Sequence, residues 1–536
     1  MDAPCGVPKG HSDAFRTLRT MSRLVLFLAM VVCALPAAGQ NPCTHVATFA
    51  DGLVPARVLH VSTTGSNATG DGSAERPYAT ISFAAAQATP GTSIIVAPGT
   101  YSGGMFIDGL AGTAQAPIWI GGAPGQARPV LQGGTNAVQF SRARYVVLHD
   151  MEVRGSTGNG INCDDGGQVN TPGASGFLVF RNLFIHDIGA GGNNDALKLS
   201  GIDDFWVLEC EFARAGGGAS GSLIDMVGCH RGVIAHNHFG QASANAIQAK
   251  GGTSQIDILR NRFEESGERC INIGGSTGFE FFRPPLSTTQ PNAEAREVRV
   301  ISNVFQGGTC AVAFVGAVDC VVSNNTIVTP HNWIFRILQE TTSTSTYSFA
   351  PCGNNTFENN LVHFDRSDLS TYVNIGSNTA PATFTFRNNL WYAYDNPAAS
   401  APSLPAPEPG RIAGVNPLLA SPLPAPGASY QIPPNSPTTG AGHAPVLTPG
   451  AYNGRCYAPT PSIGAYEGAV VGVGCGTADV NNDGDAGTDA DIEAFFACLA
   501  GNCCATCWTA DFNDDGDVGT DADIEAFFRV LAGGSC

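Results

Sequence analysis

The chain has 536 residues, two to three times the length of a typical domain, which predicts two or three structural units. Hydrophobic residues make up 43% and charged residues only 13% of the sequence, so we expect a sizeable core and exclude a coiled coil. The net charge of −18 is concentrated in residues 474–536, which hold eleven Asp, two Glu and one Arg. The sequence shows no basic face, which argues against nucleic-acid binding.

Residues 1–40 form a leader with the features of a signal peptide. A short basic stretch begins at Met21, where translation can start, and the apolar run 24–35 is followed by small residues that suit cleavage near 38–40. The run is too short to span a bilayer, and no later stretch is long enough, so we expect no membrane span in the mature chain. The protein is therefore predicted to be secreted or to lie at the cell surface.

Fifteen of the 17 cysteines lie beyond the leader, and six of these fall in the last 62 residues. Because an exported chain tolerates disulfides, we predict three disulfides in this C-terminal stretch. Zinc is the alternative, since Cys504 and Cys507 have the spacing of zinc ligands. No second pair of this kind and no histidine lies nearby, so disulfides are favoured.

A loose repeat runs through residues 58–394. Two types of strand, each about five residues long, alternate between Gly-rich turns, and one type ends in Asn-x-Phe or a related triplet. Clear copies of the triplet occur at 182–184, 237–239, 261–263 and 303–305. Short strands without helices between them predict a parallel β-solenoid, in which aligned asparagines stack as a hydrogen-bonded ladder. A β-sandwich would not explain the triplet, and an α/β barrel would need amphipathic helices that the sequence lacks.

Motifs at both ends of the repeat carry a resemblance to a known superfamily. They occupy residues 61–67, 70–73, 76–81 and 96–101 near the start, and 436–437 and 461–467 near the end. They resemble the opening and closing motifs of right-handed parallel β-helix proteins of the pectate-lyase-like superfamily. The resemblance implies a mainly β fold, with a right-handed parallel β-helix over 41–395 and a Pro-rich closing segment, 396–470, that wraps the last coils.

One face of the predicted solenoid is polar. Successive coils stack about 4.8 Å apart, so equivalent residues form columns, and side chains alternate between inward and outward along each strand. Aligning the second strand type by its paired apolar residues, from Ile161 and Cys163 to Val373 and Ile375, places these pairs inside. The residues between them form an outward column: Asn162, Lys198, Asp225, Gln248, Asn272, Ala313, Arg336 and Asn374. We predict that Asn162, Gln248, Asn272 and Arg336 bind a polysaccharide substrate.

Lysine usage singles out two residues of this face. The sequence has three lysines, and loss of Lys9 with the leader leaves Lys198 and Lys250, two coils apart with Asp225 between them. A lysine acts as a base when neighbouring cations and desolvation lower its pKa. β-Elimination of an acidic polysaccharide needs such a base, and a cation that stabilises the charge developing on the substrate. We therefore predict a polysaccharide lyase with Lys198, Lys250, Asp225 and Arg269 as catalytic residues.

Two local resemblances support this prediction. Residues 193–201 are similar to the Asn-Gly-Phe-Lys-Leu-Gly-Gly strand of family-nine pectate lyases, which implies that Lys198 is the base. That family also has calcium aspartates upstream, which implies a calcium site at Asp164 and Asp165, although its further calcium aspartates have no counterpart here. Lys250 followed by Arg269 loosely resembles the Lys/Arg pair of chondroitinase-B-like and alginate lyases, although Arg269 precedes the predicted strand.

Three other interpretations of the polar face remain open. The protein can be a glycoside hydrolase whose paired carboxylates come from Asp164, Asp165, Asp195 and Asp225. It can also be a non-catalytic glycan-binding or surface-structural protein. In that case the lysines and Asp225 form only a stack of ion pairs, which contributes little to stability on an exposed sheet.

The aromatic residues Phe279, Phe281, Phe282 and Trp333 either line a sugar groove or cap a core.

Residues 479–501 and 511–533 repeat each other at an offset of 32. Each copy has Asp or Asn at loop positions 1, 3 and 5 and Gly at position 6, followed by an apolar helix, which is the pattern of calcium-binding loops. The repeat resembles the dockerin module, which implies a small α-helical domain over 474–536 that binds calcium and docks to a cohesin-like surface receptor.

The calcium ligands that we predict for this module are Asp479, Asn481, Asp483, Asp485, Asp491, Asp511, Asn513, Asp515, Asp517 and Asp523. Each loop has one residue more than the dockerin pattern, so the last ligand is either Asp489 or Asp491 in the first loop, and either Asp521 or Asp523 in the second. We choose Asp491 and Asp523 because we expect the helices to begin at these residues.

Overall fold

The computed structural model describes residues 43–534 except 190, 217–219, 426, 449, 469–477, 482, 484, 505–506, 508–509 and 514–517. The predicted leader and the predicted calcium ligands Asp515 and Asp517 lie outside the described residues. Within the described part of the chain, no helix combines the length and the apolar character that a membrane span requires.

Three parallel β-sheets make up most of the described chain. Each full coil adds one strand to sheet 1, then one to sheet 2 and one to sheet 3, and each strand pairs with its equivalents in the neighbouring coils. This topology confirms the predicted parallel β-helix. Its right-handed sense stays a prediction, in keeping with the strong preference of parallel crossover connections for that hand.

The strands of the three sheets are as follows in the described residues. Sheet 1 contains β1 (Arg57–Val61), β2 (Thr92–Val96), β5 (Ile118–Gly122), β8 (Arg144–His149), β11 (Ser175–Arg181), β14 (Ile202–Leu208), β17 (His230–Ala235), β20 (Thr253–Leu259), β23 (Ala295–Arg296), β24 (Arg299–Ile301), β27 (Ala317–Val318), β28 (Val321–Ser323), β31 (Thr356–Glu358) and β34 (Thr385–Arg387). Sheet 2 contains β3 (Thr100–Ser102), β6 (Val130–Gln132), β9 (Glu152–Arg154), β12 (Phe184–Ile188), β15 (Glu211–Ala215), β18 (His238–Gly240), β21 (Arg262–Glu264), β25 (Val304–Gln306), β29 (Thr326–Val328), β32 (Leu361–Phe364), β35 (Leu390–Ala393) and β36 (Ile412–Ala413). Sheet 3 contains β4 (Met105–Asp108), β7 (Val138–Ser141), β10 (Ile161–Asp164), β13 (Leu197–Ser200), β16 (Ser222–Val227), β19 (Asn245–Lys250), β22 (Arg269–Gly274), β26 (Cys310–Val315), β30 (Trp333–Leu338) and β33 (Val373–Ile375).

Helices are few and short in the described chain. The α-helices are α1 (Ile81–Ala86), α2 (Asp489–Leu499) and α3 (Asp521–Leu531), and single 3₁₀ turns occur at Phe279–Phe281, Pro381–Thr383 and Pro397–Ala399. The side chain of Thr80 caps α1 by accepting a hydrogen bond from the backbone N–H of Phe83, and the helix packs against β1, β2 and β4 at the first coil.

The predicted asparagine ladder is confirmed at the turn between sheets 1 and 2. The Nδ2 group of each asparagine donates to Oδ1 of the asparagine one coil further along, at 2.9–3.1 Å. Its members are at most 2% exposed and are Asn237, Asn261, Asn303, Asn325, Asn360 and Asn389. Phe239, Phe263 and Phe305 of the triplets stack inside the coils with Phe212, with ring centres 4.7–5.1 Å apart. The copy at 182–184 is out of register, because Ile185 rather than Phe184 pairs with Phe212 and the Asn182 side chain donates to Asp150. The triplet therefore pairs a polar ladder with an apolar stack.

The closing segment packs on the outer face of sheet 2. Tyr430 and Ile463, together with neighbouring apolar residues, form a buried cluster with Leu361 and Leu390 of that sheet. The segment also supplies β36, which is the last strand of sheet 2. A disulfide between Cys43 and Cys456 links it to the start of the described chain.

Helices α2 and α3 begin two residues earlier than predicted. Thr488 and Thr520 are the N-caps, and Asp491 and Asp523 occupy the third helical position, where they complete a capping box. Phe495 and Phe527 stack between the helices with ring centres 4.2 Å apart. Two of the predicted C-terminal disulfides are present, Cys498–Cys503 and Cys504–Cys507, and the second of these removes the pair considered for zinc. The remaining cysteines of this stretch, Cys475 and Cys536, lie outside the described residues.

Candidate functional site

Strand pairing in sheet 3 confirms the predicted polar column. Each residue pairs with the next along the series Asn162, Lys198, Asp225, Gln248, Asn272, Ala313, Arg336 and Asn374. The inward residues on either side of the column are fully buried from Ile161 through Ile337. Ile375, predicted to point inward, is 41% exposed instead, because β33 is the edge strand of sheet 3.

Lys198 lies between two buried carboxylates. Its Nζ donates to Oδ2 of Asp225 and lies 3.2 Å from Oδ2 of Asp195, and both aspartate side chains are at most 1% exposed. The backbone N–H of Ser222 donates to the other oxygen of Asp195 at 2.8 Å and fixes that carboxylate beside β13 and β16.

The burial of this cluster shifts the pKa values of its members. Burial, aided by the negative charge of Asp225, raises the pKa of Asp195 to about 6. Burial disfavours the charged form of Lys198, but the charges of Asp225 and Asp195 outweigh it and raise the Lys198 pKa above its usual value. Lys198 is therefore held in its protonated form, which is the opposite of the pKa shift that a lysine base requires.

Lys250 shares the Asp225 carboxylate with Lys198. Its Nζ lies 3.6 Å from the same oxygen, Oδ2, and donates to Oε1 of Gln248 at 3.3 Å. The other Asp225 oxygen, Oδ1, is buried and has no hydrogen-bond partner among the described residues. One buried carboxylate thus holds two ammonium groups, and Lys250 has fewer anionic neighbours than Lys198.

A cavity of about 380 Å³ lies over this cluster, and we call it the lysine cavity. Its lining includes Lys198, Lys250, Arg283 and Phe281, whereas Asp195 and Asp225 do not line it and lie beneath the lysines. The cavity therefore presents two ammonium groups and a guanidinium, together with the carboxylates of Asp164 and Asp165. A larger cavity of about 820 Å³ lies elsewhere on the β-helix, and the charged side chains of its described lining are one ion pair, Asp187 with Arg214.

The segment 275–294 forms one wall of the lysine cavity, and we call it the strap. It is anchored by Glu294, which is 1% exposed and accepts hydrogen bonds from the backbone N–H groups of Gly251 and Thr277 at 2.9 and 3.0 Å. Phe281 of the strap is 53% exposed and lines the cavity, so it does not cap a core. Phe282 is 2% exposed and belongs to the core instead.

Arg283 of the strap binds Asp165, one of the two aspartates considered for calcium. Its Nε and Nη2 donate to the two carboxylate oxygens at 2.6 and 2.9 Å. The other aspartate, Asp164, accepts hydrogen bonds from the side chains of Gln139, Ser141 and Asn162 and from a backbone N–H group. Protein donors thus already coordinate both carboxylates, and these residues do not fit the calcium site that the resemblance implies.

The predicted site residues are only partly brought together. Lys198, Lys250 and Asp225 form one cluster, and Gln248 contacts it through Lys250. Arg269 begins β22 rather than preceding the strand, but it does not line the lysine cavity. Its guanidinium donates to Asn272 at 3.2 Å and to Glu340 at 2.8 Å. Arg336 and its neighbour Trp333 lie further along the same face.

Arg283 and the strap were not predicted from the sequence. The available signal was the spacing of the ladder asparagines, which is 42 residues between Asn261 and Asn303 and 24 between Asn237 and Asn261. The long interval marks an insertion, but it does not reveal that the inserted segment folds over sheet 3.

The first C-terminal loop is held in shape by hydrogen bonds among its own predicted calcium ligands. The backbone N–H of Asp483 donates to side-chain oxygens of Asp479 and Asn481 at 3.0 Å. The Asp491 carboxylate is fully buried and accepts hydrogen bonds from the backbone N–H groups of Val480 and Thr488 at 2.8 Å. Burial raises the Asp491 pKa, but these hydrogen bonds outweigh it and hold the pKa below its usual value.

The donor chemistry of this loop suits calcium, because carboxylate and amide oxygens alternate along it. Among the described residues, however, no three His, Cys, Asp or Glu side chains are arranged closely enough to hold a metal ion. Asp523 repeats the contacts of Asp491 in the second loop, where it accepts a hydrogen bond from the backbone N–H of Thr520 at 2.7 Å. Asp489 and Asp521, the alternative last ligands, are exposed.

Comparison with known proteins identifies the fold. The sequence matches no protein-family model, and no curated protein sequence matches it. Among solved structures, the chain is similar to pectate lyase Pel9A, with a TM-score of 0.50 and 14% identity, covering 78% of this chain and 97% of that one. At this identity the likeness shows the parallel β-helix fold alone.

Two further solved structures are less similar to the chain. An alginate lyase from Paenibacillus sp. strain FPU-7 has a TM-score of 0.41 at 14% identity, covering 61% of this chain and 99% of that one. A rhamnogalacturonan lyase has a TM-score of 0.37 at 14% identity, covering 65% of this chain and 89% of that one.

Proposed function

We propose that this protein is an exported polysaccharide lyase that cleaves an acidic, uronate-containing polysaccharide by β-elimination in the lysine cavity. The observation that carries the proposal is that Lys198, Lys250 and Arg283 all line one cavity, while the carboxylates paired with the lysines lie beneath it. With Asp164 and Asp165 also in the lining, the cavity has three positive and two negative charges, and this net positive charge favours an anionic ligand. The fold shared with pectate lyase Pel9A supports the proposal, because that protein is named for an acidic polysaccharide.

The contacts of the two lysines suggest different roles. Lys198 is paired with two carboxylates and held protonated, so we assign it to binding the substrate carboxylate and stabilising the negative charge that develops there. Lys250 is paired with one carboxylate and a neutral amide, so we assign it as the base. Asp225 positions both ammonium groups through one oxygen, and exposed Phe281 offers a face on which a sugar ring can stack.

In this assignment Lys250 removes the proton from the ring carbon that carries the carboxyl group. The electron pair forms a double bond to the neighbouring ring carbon, whose bond to the glycosidic oxygen breaks. The departing oxygen takes a proton from water, and Lys250 later returns its own proton to solvent. The reaction therefore needs no oxidant and no added group beyond water.

Matched lysine-to-arginine variants test these roles, because arginine keeps the positive charge but does not lose its proton in proteins. We expect K250R to lower turnover about a thousandfold, as removal of a general base does, and K198R to lower it only about tenfold. The readout is the ultraviolet absorbance of unsaturated product from pectate, alginate and chondroitin. The control is R231K, on the outer face of sheet 1, where Arg231 pairs with Asp204.

The opposite pattern, with K198R inactive and K250R active, would move the base to Lys198, as the family resemblance implies. Absence of unsaturated product from every uronan with the unmodified protein would refute the lyase assignment.

A non-catalytic glycan-binding or surface-structural protein is the second candidate. The observation that favours it is that Lys198 and Lys250 both form ion pairs with Asp225, as in a structural stack of ion pairs. This candidate predicts retention on an immobilised uronan without any product, in the unmodified protein and in both lysine variants. A glycoside hydrolase is less well supported, because Asp195 and Asp225 lie beneath the lysines and Asp165 is bound by Arg283.

We further propose that residues 474–536 bind calcium through the two acidic loops and dock to a cohesin-like receptor at the cell surface. The repeated Asp and Asn positions ahead of α2 and α3 support calcium binding. Phe496 and Phe528 support docking, because they are 45% and 46% exposed and their ring centres are 6.3 Å apart. An exposed apolar pair of this kind is typical of a protein contact surface.

A further inference from the structure

The polar face of sheet 3 continues beyond the lysine cavity to a second cationic position. Arg336 occupies the column five strands beyond Lys198, which corresponds to roughly 24 Å at the spacing of stacked strands. Between them the column contains Asp225, Gln248, Asn272 and Ala313 on successive strands. Asn272 and Ala313 are at most 1% exposed.

Arg336 is held in place by neutral groups. Its guanidinium carbon lies 4.2 Å from the centre of the Trp333 ring, and its Nε donates to Oδ1 of Asn374 at 3.0 Å. In the described structure no carboxylate pairs with Arg336, and its two Nη groups have no hydrogen-bond acceptor. The guanidinium is therefore fixed in orientation while its Nη donors remain available.

The neighbouring arginine, Arg269, differs from Arg336 because it has a carboxylate partner. Arg269 donates to the carboxylate of Glu340 at 2.8 Å, so its charge is already balanced. Burial and then the positive charge of Arg269 lower the pKa of Arg336, which places the two guanidinium groups within electrostatic reach of each other. An anion that binds Arg336 would balance its charge and use the free Nη donors.

We propose that Arg336, oriented by Trp333, binds the carboxylate of a second uronate unit of the same polysaccharide chain that occupies the lysine cavity. This inference rests on the proposed function, in that the ligand is an acidic polysaccharide. A fixed guanidinium fork matches the two oxygens of a carboxylate. Because roughly 24 Å separates Arg336 from Lys198, only a chain of several sugars reaches both positions. Arg336 thus makes the protein select long acidic chains.

Equilibrium binding of the full-length protein tests this role. The probes are long and three-sugar chains of polygalacturonate, alginate and hyaluronan, together with long chains whose carboxyl groups have been reduced to alcohols. We expect R336Q to weaken binding of the long acidic chain about tenfold, as loss of a charge-assisted bidentate contact does, and to leave binding of the three-sugar probe unchanged. R336K, which keeps the charge without the fork, is expected to fall between R336Q and the unmodified protein.

The matched control is R299Q, because Arg299 lies on sheet 1 and pairs with Asp257. Equal affinity of R336Q, R299Q and the unmodified protein for long acidic chains would overturn the inference, and so would an equal loss with the carboxyl-reduced chain. Absence of binding to all three uronans would overturn it together with the proposed function. Binding that depends on Arg336 without any unsaturated product would uphold the inference and refute only the lyase.

Discussion

Arg283 binds Asp165 through two hydrogen bonds, although 118 residues separate them in the sequence. The strap that carries Arg283 follows β22, whereas Asp165 follows β10, four strands earlier in sheet 3. This contact therefore brings the strap back across the coils that carry both lysines. It gives the lysine cavity its wall and its third cation.

Removing this contact should destabilise the protein. R283Q leaves the Asp165 carboxylate, which is 3% exposed, without its counter-ion, and we expect the free energy of unfolding to fall by about 3 kcal/mol. R283K should lose less stability, because lysine keeps the positive charge. Denaturant unfolding measures the change, with R231K as the control on an exposed pair. An R283Q variant as stable as R231K would show that the strap is held by its other contacts alone.

Asp195 should give the protein a distinctive pH dependence. Its pKa in the folded state is about 6, above the usual 3.8, so protonation stabilises the fold. The contribution of protonated Asp195 to the free energy of unfolding is fully present below about pH 4 and is lost as the pH rises through about 6. We expect the unmodified protein to lose about 3 kcal/mol more than D195N between pH 4 and pH 7 in denaturant unfolding.

The control for this experiment is D187N. Asp187 has a pKa that Arg214, chiefly through hydrogen bonds, holds below its usual value, so its effect on stability has the opposite sign. Parallel pH profiles for D195N and the unmodified protein would contradict the pKa shift of Asp195.

A break in the asparagine ladder should destabilise the fold. The Oδ1 atom of Asn303 accepts hydrogen bonds from the backbone N–H and the side chain of Asn261, and its Nδ2 donates to Asn325. N303A leaves these buried groups unpaired, and we expect a loss of about 3 kcal/mol in the free energy of unfolding. N453A, in the closing segment and outside the ladder, is the comparison. A loss no greater than that of N453A would mean that water replaces the missing amide.

Calcium should act on the C-terminal module and not on the lysine cavity. We expect calcium to slow chymotryptic cleavage at Phe496 and Phe528 in the full-length protein, since it neutralises the acidic loops and orders α2 and α3. The D479A/D511A double variant should lose this protection, and magnesium should protect poorly. Chelation should leave the β-helix fragment pattern unchanged, because Arg283 already occupies Asp165. Equal cleavage with and without calcium would refute the calcium-binding proposal.

Much of the β-helix was predictable because its inward residues repeat. The alignment of sheet 3 follows from apolar pairs such as Leu197 and Leu199, which must be buried in every coil. This rule did not predict the exposure of Ile375, because it assumes that a further coil follows each strand. The early start of α2 had a local signal, because Thr488 followed three residues later by Asp491 is a capping-box pattern.

The chemistry of the site was less predictable than its position. The sequence places Lys198 and Lys250 on one face, but the pKa of Lys198 is raised by Asp225 and also by Asp195, whose carboxylate comes from the turn before β13. Arg283 comes from an inserted segment without periodicity, so no pattern places it beside Asp165. Contacts between strands follow the repeat, whereas contacts made by turns and insertions do not.

The asparagine ladder has a direction. Every hydrogen bond between two ladder asparagines runs toward the C-terminal end, although each Nδ2 group also donates to a backbone carbonyl of the preceding coil. At the C-terminal end, Asn389 Nδ2 donates at 2.7 Å to the carboxylate of Glu408, which also accepts from Trp391. The positive end of a row of aligned dipoles therefore meets a negative charge, much as an acidic residue does at a helix N-terminus. A coil inserted or deleted between two rungs would leave donors and acceptors matched, so the ladder tolerates changes in length. Glu408 takes the acceptor position that an asparagine of a further coil would fill.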